Sequence, residues 1–200
     1  HFGYRRQRQM CIRDRLVVVT SKFSASASEI LAGAIQDYQR GLVVGDTATH
    51  GKGTVQQLRD VGRIIFPIAA AVPKNFGALK VTMQQFYRPS GDSTQKRGVL
   101  ADVVLPSISD QMDVGEADLQ HALEFDQIEK AEFNLYPYVT PEIVKAVRAK
   151  SDSRIKGSED FADLMSDIER YKGSERTQVR DVERGKIPRT TQGVRCGKAR

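Results

Sequence analysis

Two short segments carry residue types that are capable of acyl-transfer chemistry. The first is KFSASASEI at residues 22–30, where a serine stands at the predicted start of a helix. A helix amino terminus presents unpaired backbone N–H groups and the positive end of the helix dipole, which stabilise a developing oxyanion. The same residues also fit a capping box, with Ser26 as the cap and Glu29 reaching back. Nucleophile and structural cap are therefore both open interpretations of Ser26.

The second segment is a glycine-rich turn at residues 45–54 that carries one lysine, Lys52. A lysine acts as a general base once burial or a cationic neighbour favours its neutral form. A phosphate-binding loop is the second interpretation, but it requires four residues between its glycines, a Ser or Thr after the lysine, and a following helix. Here five residues separate Gly45 from Gly51, and Gly53 follows the lysine without a helical pattern. A solvated loop lysine is the third interpretation.

A strand, a helix and a second strand are predicted to position these two segments. The apolar runs LVVVT at 16–20 and LVVG at 42–45 indicate buried strands, and residues 27–38 repeat at helical spacing. Such a βαβ unit makes the two strands parallel. Because adjacent parallel strands present their carboxyl ends together, we expect Ser26 and Lys52 to meet at one edge of the sheet.

The remaining chain divides near residue 110. Before it, four further strands are predicted, at 54–58, 63–68, 78–87 and 101–106. After it, residues 110–175 are acidic and helix-like, with helix starts predicted at Thr140-Pro141-Glu142 and at Ser158.

Charge and composition narrow the function classes. The chain has 200 residues, 40% of them hydrophobic, and a net charge of +6. Residues 1–15 contribute +4 and residues 184–200 contribute +6, which leaves −4 on the rest. A nucleic-acid surface should lie on a folded face, so nucleic acid is not a predicted partner. Both basic ends lack structural patterning, and we interpret 1–15 as a non-native leader and 184–200 as a similar tail.

Histidine and cysteine chemistry is poorly supported. The only histidines are at positions 1, 50 and 121, and no spacing resembles a triad or a metal site. The only cysteines, Cys11 and Cys196, lie in the two basic ends. No metal or other cofactor is therefore predicted.

Several motifs in fixed order identify a family. The segments SASASEI, QDYQRGLVVGDTATHGKGTVQQ and FYRPSGDSTQKRGVLADVVLP, followed by the helical tail, resemble the tail-specific (carboxyl-terminal processing) serine proteases. The resemblance runs from about residue 16 to about residue 175 and is strongest to the bacterial periplasmic branch, which has a helical extension.

The resemblance implies a Ser–Lys dyad. Ser26 matches the nucleophile, Lys52 the base and Gln56 the residue that orients the lysine, while the backbone N–H of Ala27 is expected to be one oxyanion donor. Asp37 matches an aspartate that is important in some members. It lies about 16 Å along an unbroken helix from Ser26, so a fold-supporting role is expected.

The resemblance also implies an architecture: an α/β fold with a partial crotonase-like ββα protease core over 16–109 and an α-helical carboxyl-terminal extension over 110–183. Expected substrates are proteins with apolar carboxyl-terminal tails, with adaptor lipoproteins as further partners and a periplasmic location.

Two departures from the family carry consequences. The loop before Lys52 is one residue longer, with His50 where relatives often have Phe. The PDZ domain and the upstream oxyanion donor of relatives have no counterpart in this chain, so we expect the isolated chain to be inactive. A catalytically incomplete, partner-binding scaffold is the alternative function, and a phosphate-loop nucleotide binder is a weaker one.

Overall fold

The βαβ unit predicted at the start of the core is present. The computed structural model describes residues 15–65 and 76–183, with side-chain environments as far as residue 174. Strand β1 (Leu16–Thr20), helix α1 (Ala27–Asp37) and strand β2 (Gly41–Gly45) follow one another. The two strands are parallel and pair residue by residue, from Leu16 with Gly41 to Thr20 with Gly45. The sequence prediction of parallel strands is confirmed.

The described residues cover only one face of this sheet. A small core joins α1 to the sheet and to a later loop, and it comprises Ala32, Val43 and Val99, with Val18 and Ala101 packed against it. Val17 and Val19 point away from this core and are 53% and 76% exposed. The prediction of a fully buried first strand is therefore wrong for its outward residues, because no described element packs on that face.

A short strand closes the other side of β2. Strand β5 (Val103–Val104) pairs in parallel with β2, which gives the sheet order β1-β2-β5. The predicted strand at 101–106 is thus reduced to two residues. The Asp102 side chain accepts hydrogen bonds from Val43 N–H and from Gln36 Nε2, both at 2.8 Å. One carboxylate therefore links β2, α1 and the segment that leads into β5.

A separate two-stranded ribbon follows the lysine loop. Strands β3 (Thr54–Asp60) and β4 (Ala78–Gln85) are antiparallel, as the patterns at 54–58 and 78–87 predict. The strand predicted at 63–68 is wrong over 63–65, which belongs to helix α2 (Val61–Ile65), and residues 66–68 lie outside the described residues. Asp60 Oδ1 accepts from Arg63 N–H at 3.2 Å, which is a cap geometry that favours the helix.

The region after residue 110 is less helical than its composition predicts. Apart from short 3₁₀ turns at Ser109–Gln111 and Glu116–Asp118, residues 112–140 are irregular. Helix α3 (Pro141–Lys156) begins after Thr140 and α4 (Glu159–Glu183) begins after Ser158, as predicted. The acidic composition favoured helix, but this segment satisfies its backbone on the core instead.

Several backbone groups of the irregular segment bond to the core. Ser93 N–H donates to Asp126 O at 3.0 Å, and Tyr136 N–H donates to Tyr38 O at 2.8 Å. The Tyr87 hydroxyl donates to Asp126 Oδ2 at 2.8 Å, and this hydrogen bond raises the pKa of Tyr87. The segment therefore lies along the α/β core.

The predicted non-native leader and basic tail fall almost entirely on residues that the structure does not describe. Residues 1–14 and 184–200, and with them Cys11 and Cys196, lie outside the described residues. Within the described part of the chain, no helix has the length and apolar character that crossing a membrane requires.

Candidate active site

Ser26 occupies a strained turn between β1 and α1. Its φ of 55° and ψ of −110° are unusual for a residue with a side chain. Such outliers cost roughly 1–3 kcal/mol and persist where the surrounding structure holds them, which is common at functional sites. The side chain is half-buried. A serine held in a sharp strand-to-helix turn presents its hydroxyl at the helix amino terminus.

The backbone around Ser26 leaves one donor free. The N–H groups of Glu29 and Ile30 donate to the Ser26 carbonyl at 2.9 and 3.0 Å. The N–H of Ala27, the first residue of α1, has no acceptor among the described residues. This is one of the orphan donors that every helix start leaves. It therefore lies where an oxyanion donor for a reaction at Ser26 is needed.

Both contacts of the capping box predicted from the sequence are present, but only one of them has hydrogen-bond geometry. Ser26 N–H donates to Glu29 Oε2 at 2.7 Å, which is the reaching-back half of the motif. In the reciprocal half, the Ser26 hydroxyl faces the Glu29 N–H without making a cap hydrogen bond. That N–H already bonds to the Ser26 carbonyl. The hydroxyl is thus not committed to the helix.

Glu29 does more than the capping box requires. Its carboxylate is fully buried and accepts four hydrogen bonds. Oε2 receives the N–H groups of Ser26 at 2.7 Å and Lys52 at 3.0 Å. Oε1 receives the Thr49 hydroxyl and the Gly51 N–H, both at 2.6 Å. One carboxylate therefore ties the backbone of the candidate nucleophile to the backbone of the candidate base, 26 positions along the chain.

The two glycines that flank Lys52 allow a second segment to approach. A Cβ on Gly53 would lie 2.7 Å from both Gln95 N and Ser93 Oγ. Gly51 has a φ of +93°, and a Cβ there would lie 3.0 Å from the carbonyl carbon of Lys96. Close backbone approach and positive φ both favour glycine. The Gly-Lys-Gly pattern is thus explained by packing against residues 93–96.

Residues 93–96 hold the lysine loop through the backbone. Gln95 Oε1 accepts from Gly53 N–H at 2.9 Å, and Lys96 N–H donates to Gly51 O at 2.8 Å. The Thr94 hydroxyl donates to Lys52 O at 3.3 Å. The loop continues into strand β3 and not into a helix. It therefore lacks the helix amino terminus that a phosphate-binding loop requires.

The side chains of the predicted dyad are less closely linked than their backbones. The hydrogen bonds of the described residues do not include one between Ser26 Oγ and Lys52 Nζ, or one between Gln56 and Lys52. Lys52 is half-buried, whereas Gln56 is exposed on β3. Apo active sites often have long catalytic contacts that tighten when substrate binds. The roles of Lys52 and Gln56 remain predictions.

Asp37 lies at the carboxyl end of α1 and pairs with Arg88. Its carboxylate accepts from Arg88 Nη2 and, at 3.2 Å, from Arg88 Nε, and the two side chains are only 8% and 13% exposed. Ser90 N–H donates to Asp37 Oδ2 at 3.1 Å. Asp37 thus attaches the turn after β4 to α1, which is a fold-supporting contact.

Replacing Asp37 by Ala is expected to lower the free energy of unfolding by about 3 kcal/mol, because Arg88 would remain largely buried without its carboxylate. Chemical unfolding of the complete protein measures this change, with the exposed Asp152→Ala as the matched control. Equal midpoints for the two variants would show that the Asp37–Arg88 pair does not support the fold.

His50 is held next to the site but without a catalytic partner. Its Nδ1 lies 3.8 Å from Glu116 Oε2 and makes no hydrogen bond among the described residues. The backbone N–H of His50 donates to Ser24 O at 3.0 Å, and the backbone carbonyl of His50 accepts from Glu116 N–H at 2.8 Å. Within the described ranges, no group of three His, Cys, Asp or Glu side chains is arranged to hold a metal ion.

Three residues of this site were not identified from the sequence: Thr49, Gln95 and Glu116. Gln95 stands in the STQ motif, which signals the family without indicating that its amide bonds to the lysine loop. Thr49 and Glu116 have no local signal, because their partners are distant in sequence.

Two family models match the chain. Residues 3–105 match peptidase family S41, and residues 109–181 match the carboxyl-terminal domain of tail-specific protease (DUF3340). The first match covers about half of the chain, and the second covers most of the helical region.

The chain is also similar in sequence to individual proteases. The chain is 44% identical over 118 residues to a tail-specific protease of Haemophilus influenzae, which is 59% of this chain and 16% of the relative. It is 37% identical over 110 residues to the carboxy-terminal processing protease CtpB of Bacillus subtilis, which is 54% of this chain and 20% of the relative. This chain therefore spans about a fifth or less of the length of these relatives.

A solved structure is also similar. The photosystem II D1 C-terminal processing protease is 35% identical, with 46% of this chain and 21% of that one covered and a TM-score of 0.38. The matches to the family models, together with the α/β core and the helical carboxyl-terminal region, show that this chain belongs to peptidase family S41 and carries a tail-specific protease carboxyl-terminal domain.

Proposed function

We propose that this chain supplies the nucleophile and the base of a serine endopeptidase that works by a Ser–Lys dyad. The observation that carries the proposal is the buried Glu29 carboxylate, which accepts from the backbone N–H groups of both Ser26 and Lys52 at 2.7 and 3.0 Å. A shared anchor of this kind limits the relative movement of the two residues. Such preorganisation is what a nucleophile and its base require.

The proposed reaction has two steps. Ser26 Oγ attacks the peptide carbonyl carbon while Lys52, in its neutral form, accepts the hydroxyl proton. Lys52 then returns that proton to the leaving amine as the C–N bond breaks, which leaves an acyl-enzyme ester. Lys52 then takes a proton from a water molecule that attacks the ester carbonyl, and it passes that proton to Ser26 Oγ as the ester C–O bond breaks, which releases the acid product and regenerates Ser26. The Ala27 N–H stabilises the oxyanion in each step, and Gln56 is proposed to orient Lys52.

The proposed substrates follow from the names of the relatives, which are tail-specific and carboxyl-terminal processing proteases. We propose proteins with apolar carboxyl-terminal tails as substrates, adaptor lipoproteins as further partners, and the periplasm as the location. The Ala27 N–H is the one oxyanion donor that we assign among residues 15–65 and 76–183, and one donor is half of a complete hole. The 200-residue chain by itself is therefore proposed to be inactive, and tests of function use the complete protein encoded by the source gene.

Binding of a transition-state analogue tests the nucleophile directly. A peptide boronic acid with an apolar sequence is expected to form a tetrahedral adduct in which Ser26 Oγ bonds to boron, visible by ¹¹B NMR. Transition-state analogues bind at least about 100-fold more tightly than substrates do. Ser26→Ala should give no adduct, while Ser28→Ala, an exposed neighbour in the same helix turn, should bind as the parent does.

The alternative function is a catalytically incomplete scaffold that binds a partner. The missing hydrogen bond between Ser26 Oγ and Lys52 Nζ favours it, because an activated nucleophile needs a base within reach. An adduct that is equally strong in the parent and in Ser26→Ala, or absent from both, would support the scaffold and contradict the Ser–Lys peptidase.

A further inference from the structure

Glu116 lies next to the lysine loop although it belongs to the carboxyl-terminal region. It starts the 3₁₀ turn Glu116–Asp118, within the segment that matches the tail-specific protease carboxyl-terminal domain. Its side chain is only 12% exposed. Its N–H donates to His50 O at 2.8 Å, and its Oε1 accepts from Gln95 Nε2 at 3.2 Å. A residue outside the protease core thus contacts both segments that surround Lys52.

Gln95 relays this contact to the lysine. Its side chain is fully buried, and its Oε1 accepts from Gly53 N–H at 2.9 Å. An amide has an acceptor at one end and donors at the other, so its orientation depends on what each end meets. An ionised carboxylate has acceptors and no donor, so Glu116 favours the orientation of the Gln95 amide in which the NH₂ group faces Glu116. The amide oxygen is then directed at the peptide that follows Lys52.

Removal of the Glu116 carboxylate would leave the Gln95 NH₂ group buried without this acceptor. A buried unsatisfied donor is costly, and the cost falls when the side chain turns or the loop shifts to find another partner. Either response weakens the hold on Gly53. The Lys52 side chain must reach about 2.6–3.2 Å from the proton that it abstracts, so a small displacement of its peptide matters.

We propose that Glu116 is a positioning residue for Lys52, which acts through the amide of Gln95 on the Lys52–Gly53 peptide. The inference rests on the proposed Ser–Lys function and deepens it. It makes the carboxyl-terminal region part of the active-site support. Glu116 itself does not touch the reacting atoms.

Steady-state cleavage of an apolar-tailed protein substrate by the complete protein tests the proposal. Glu116→Ala is expected to lower the cleavage rate at saturating substrate by about 10- to 100-fold, as misplacement of a catalytic group does, with the substrate KM changed less than about twofold. Glu116→Gln retains an oxygen that accepts from Gln95 Nε2, and it should recover the rate to within about threefold of the parent.

The matched control is Glu124→Ala. Glu124 belongs to the same segment, carries the same charge and pairs with Lys96, but its side chain is 85% exposed and does not contact Gln95. We expect the Glu124→Ala variant to cleave the substrate at the rate of the parent protein. Equal rates for Glu116→Ala and Glu124→Ala, or a loss that appears in KM alone, would overturn the positioning role.

A double variant tests the relay itself. If Glu116 acts through Gln95, then Gln95→Ala with Glu116→Ala should lose no more rate than Gln95→Ala alone. Multiplied losses would contradict the relay. Glu116→Met, which keeps the apolar stem, replaces Glu116→Ala if the latter does not fold. Failure of both to fold would make Glu116 a structural residue and would overturn the proposal.

Ser26→Ala in the same assay separates this inference from the proposed function. Parent-like cleavage by Ser26→Ala would refute the Ser–Lys function as a whole. Abolished cleavage by Ser26→Ala together with parent-like cleavage by Glu116→Ala would refute only the role of Glu116.

Discussion

Replacing Lys52 by Ala is expected to lower peptide cleavage by the complete protein at least about 1,000-fold while the fold survives. General acid–base catalysis contributes about 10²–10⁴-fold, and loss of the base also removes activation of the nucleophile. The fold should survive because the contacts that hold this residue use its backbone. Its N–H donates to Glu29 Oε2 at 3.0 Å and its carbonyl accepts from Thr94 Oγ1 at 3.3 Å, and alanine retains both groups.

The measurement combines cleavage of an apolar-tailed substrate with a thermal melt. Lys80→Ala, an exposed lysine on β4, is the matched control and should cleave like the parent. Near-native cleavage by Lys52→Ala would contradict the dyad. Loss of the folded transition in Lys52→Ala would instead show that the ammonium group stabilises the fold, contrary to the backbone argument.

Ser26→Ala separates catalysis from helix capping within the same experiment. Ser26 already has φ 55°, so an alanine there brings no additional backbone penalty of its own. Its hydroxyl makes no cap hydrogen bond, so we expect a stability loss below the roughly 1 kcal/mol typical of a lost cap, together with complete loss of cleavage. A scaffold predicts a stability loss of about 1 kcal/mol and no change in cleavage, because the parent would not cleave either.

Replacing Glu29 by Ala is expected to have the largest effect on stability. The change removes the acceptor of four hydrogen bonds at a fully buried position. Leaving a buried donor unsatisfied costs about 1–3 kcal/mol, and partial relaxation keeps the sum below four full penalties. We expect the free energy of unfolding to fall by about 4–5 kcal/mol, with cleavage abolished in whatever fraction remains folded.

Glu29→Gln refines this test. The amide keeps the shape of the side chain but replaces one acceptor oxygen with an NH₂ donor, so one of the two pairs of donors that now bond to Glu29 faces an NH₂ group. Denaturant unfolding should show an intermediate loss of about 2 kcal/mol. Glu132→Ala, at an exposed position, is the control and should be neutral. A Glu29→Ala midpoint equal to that control would show that the carboxylate does not anchor the two loops.

The elements that could be predicted are those with a strong local pattern. The run LVVVT, the helical spacing that follows and the run LVVG together predict the parallel βαβ unit, because only a crossover returns the chain to the same edge. The sequence Thr-Pro-Glu at 140–142 marks the start of α3, since a capping residue and a first-turn proline both act locally.

The wrong predictions have physical reasons as well. The apolar run at 63–68 suits a strand or a helix equally well, and the bond from Arg63 N–H to Asp60 favours the helix over 63–65. The acidic stretch at 112–140 lacks a helix over most of its length, because its backbone groups bond to Tyr38, Gly91 and other core residues. Composition does not record such tertiary partners.

The sequence by itself determined the family and the types of residue available for chemistry. A serine before Ala-Ser-Glu, a Gly-Lys-Gly turn and the STQ segment in that order identify the peptidase, because their backbone requirements are local. Only the tertiary structure decided how these segments are held together. Glu29 meets the loop at 49–52, Gln95 meets the peptide after Lys52, and Glu116 meets the Gln95 side chain, through hydrogen bonds between residues that are 20 or more positions apart. Such bonds depend on where loops approach one another, and no periodic pattern in the chain encodes that approach.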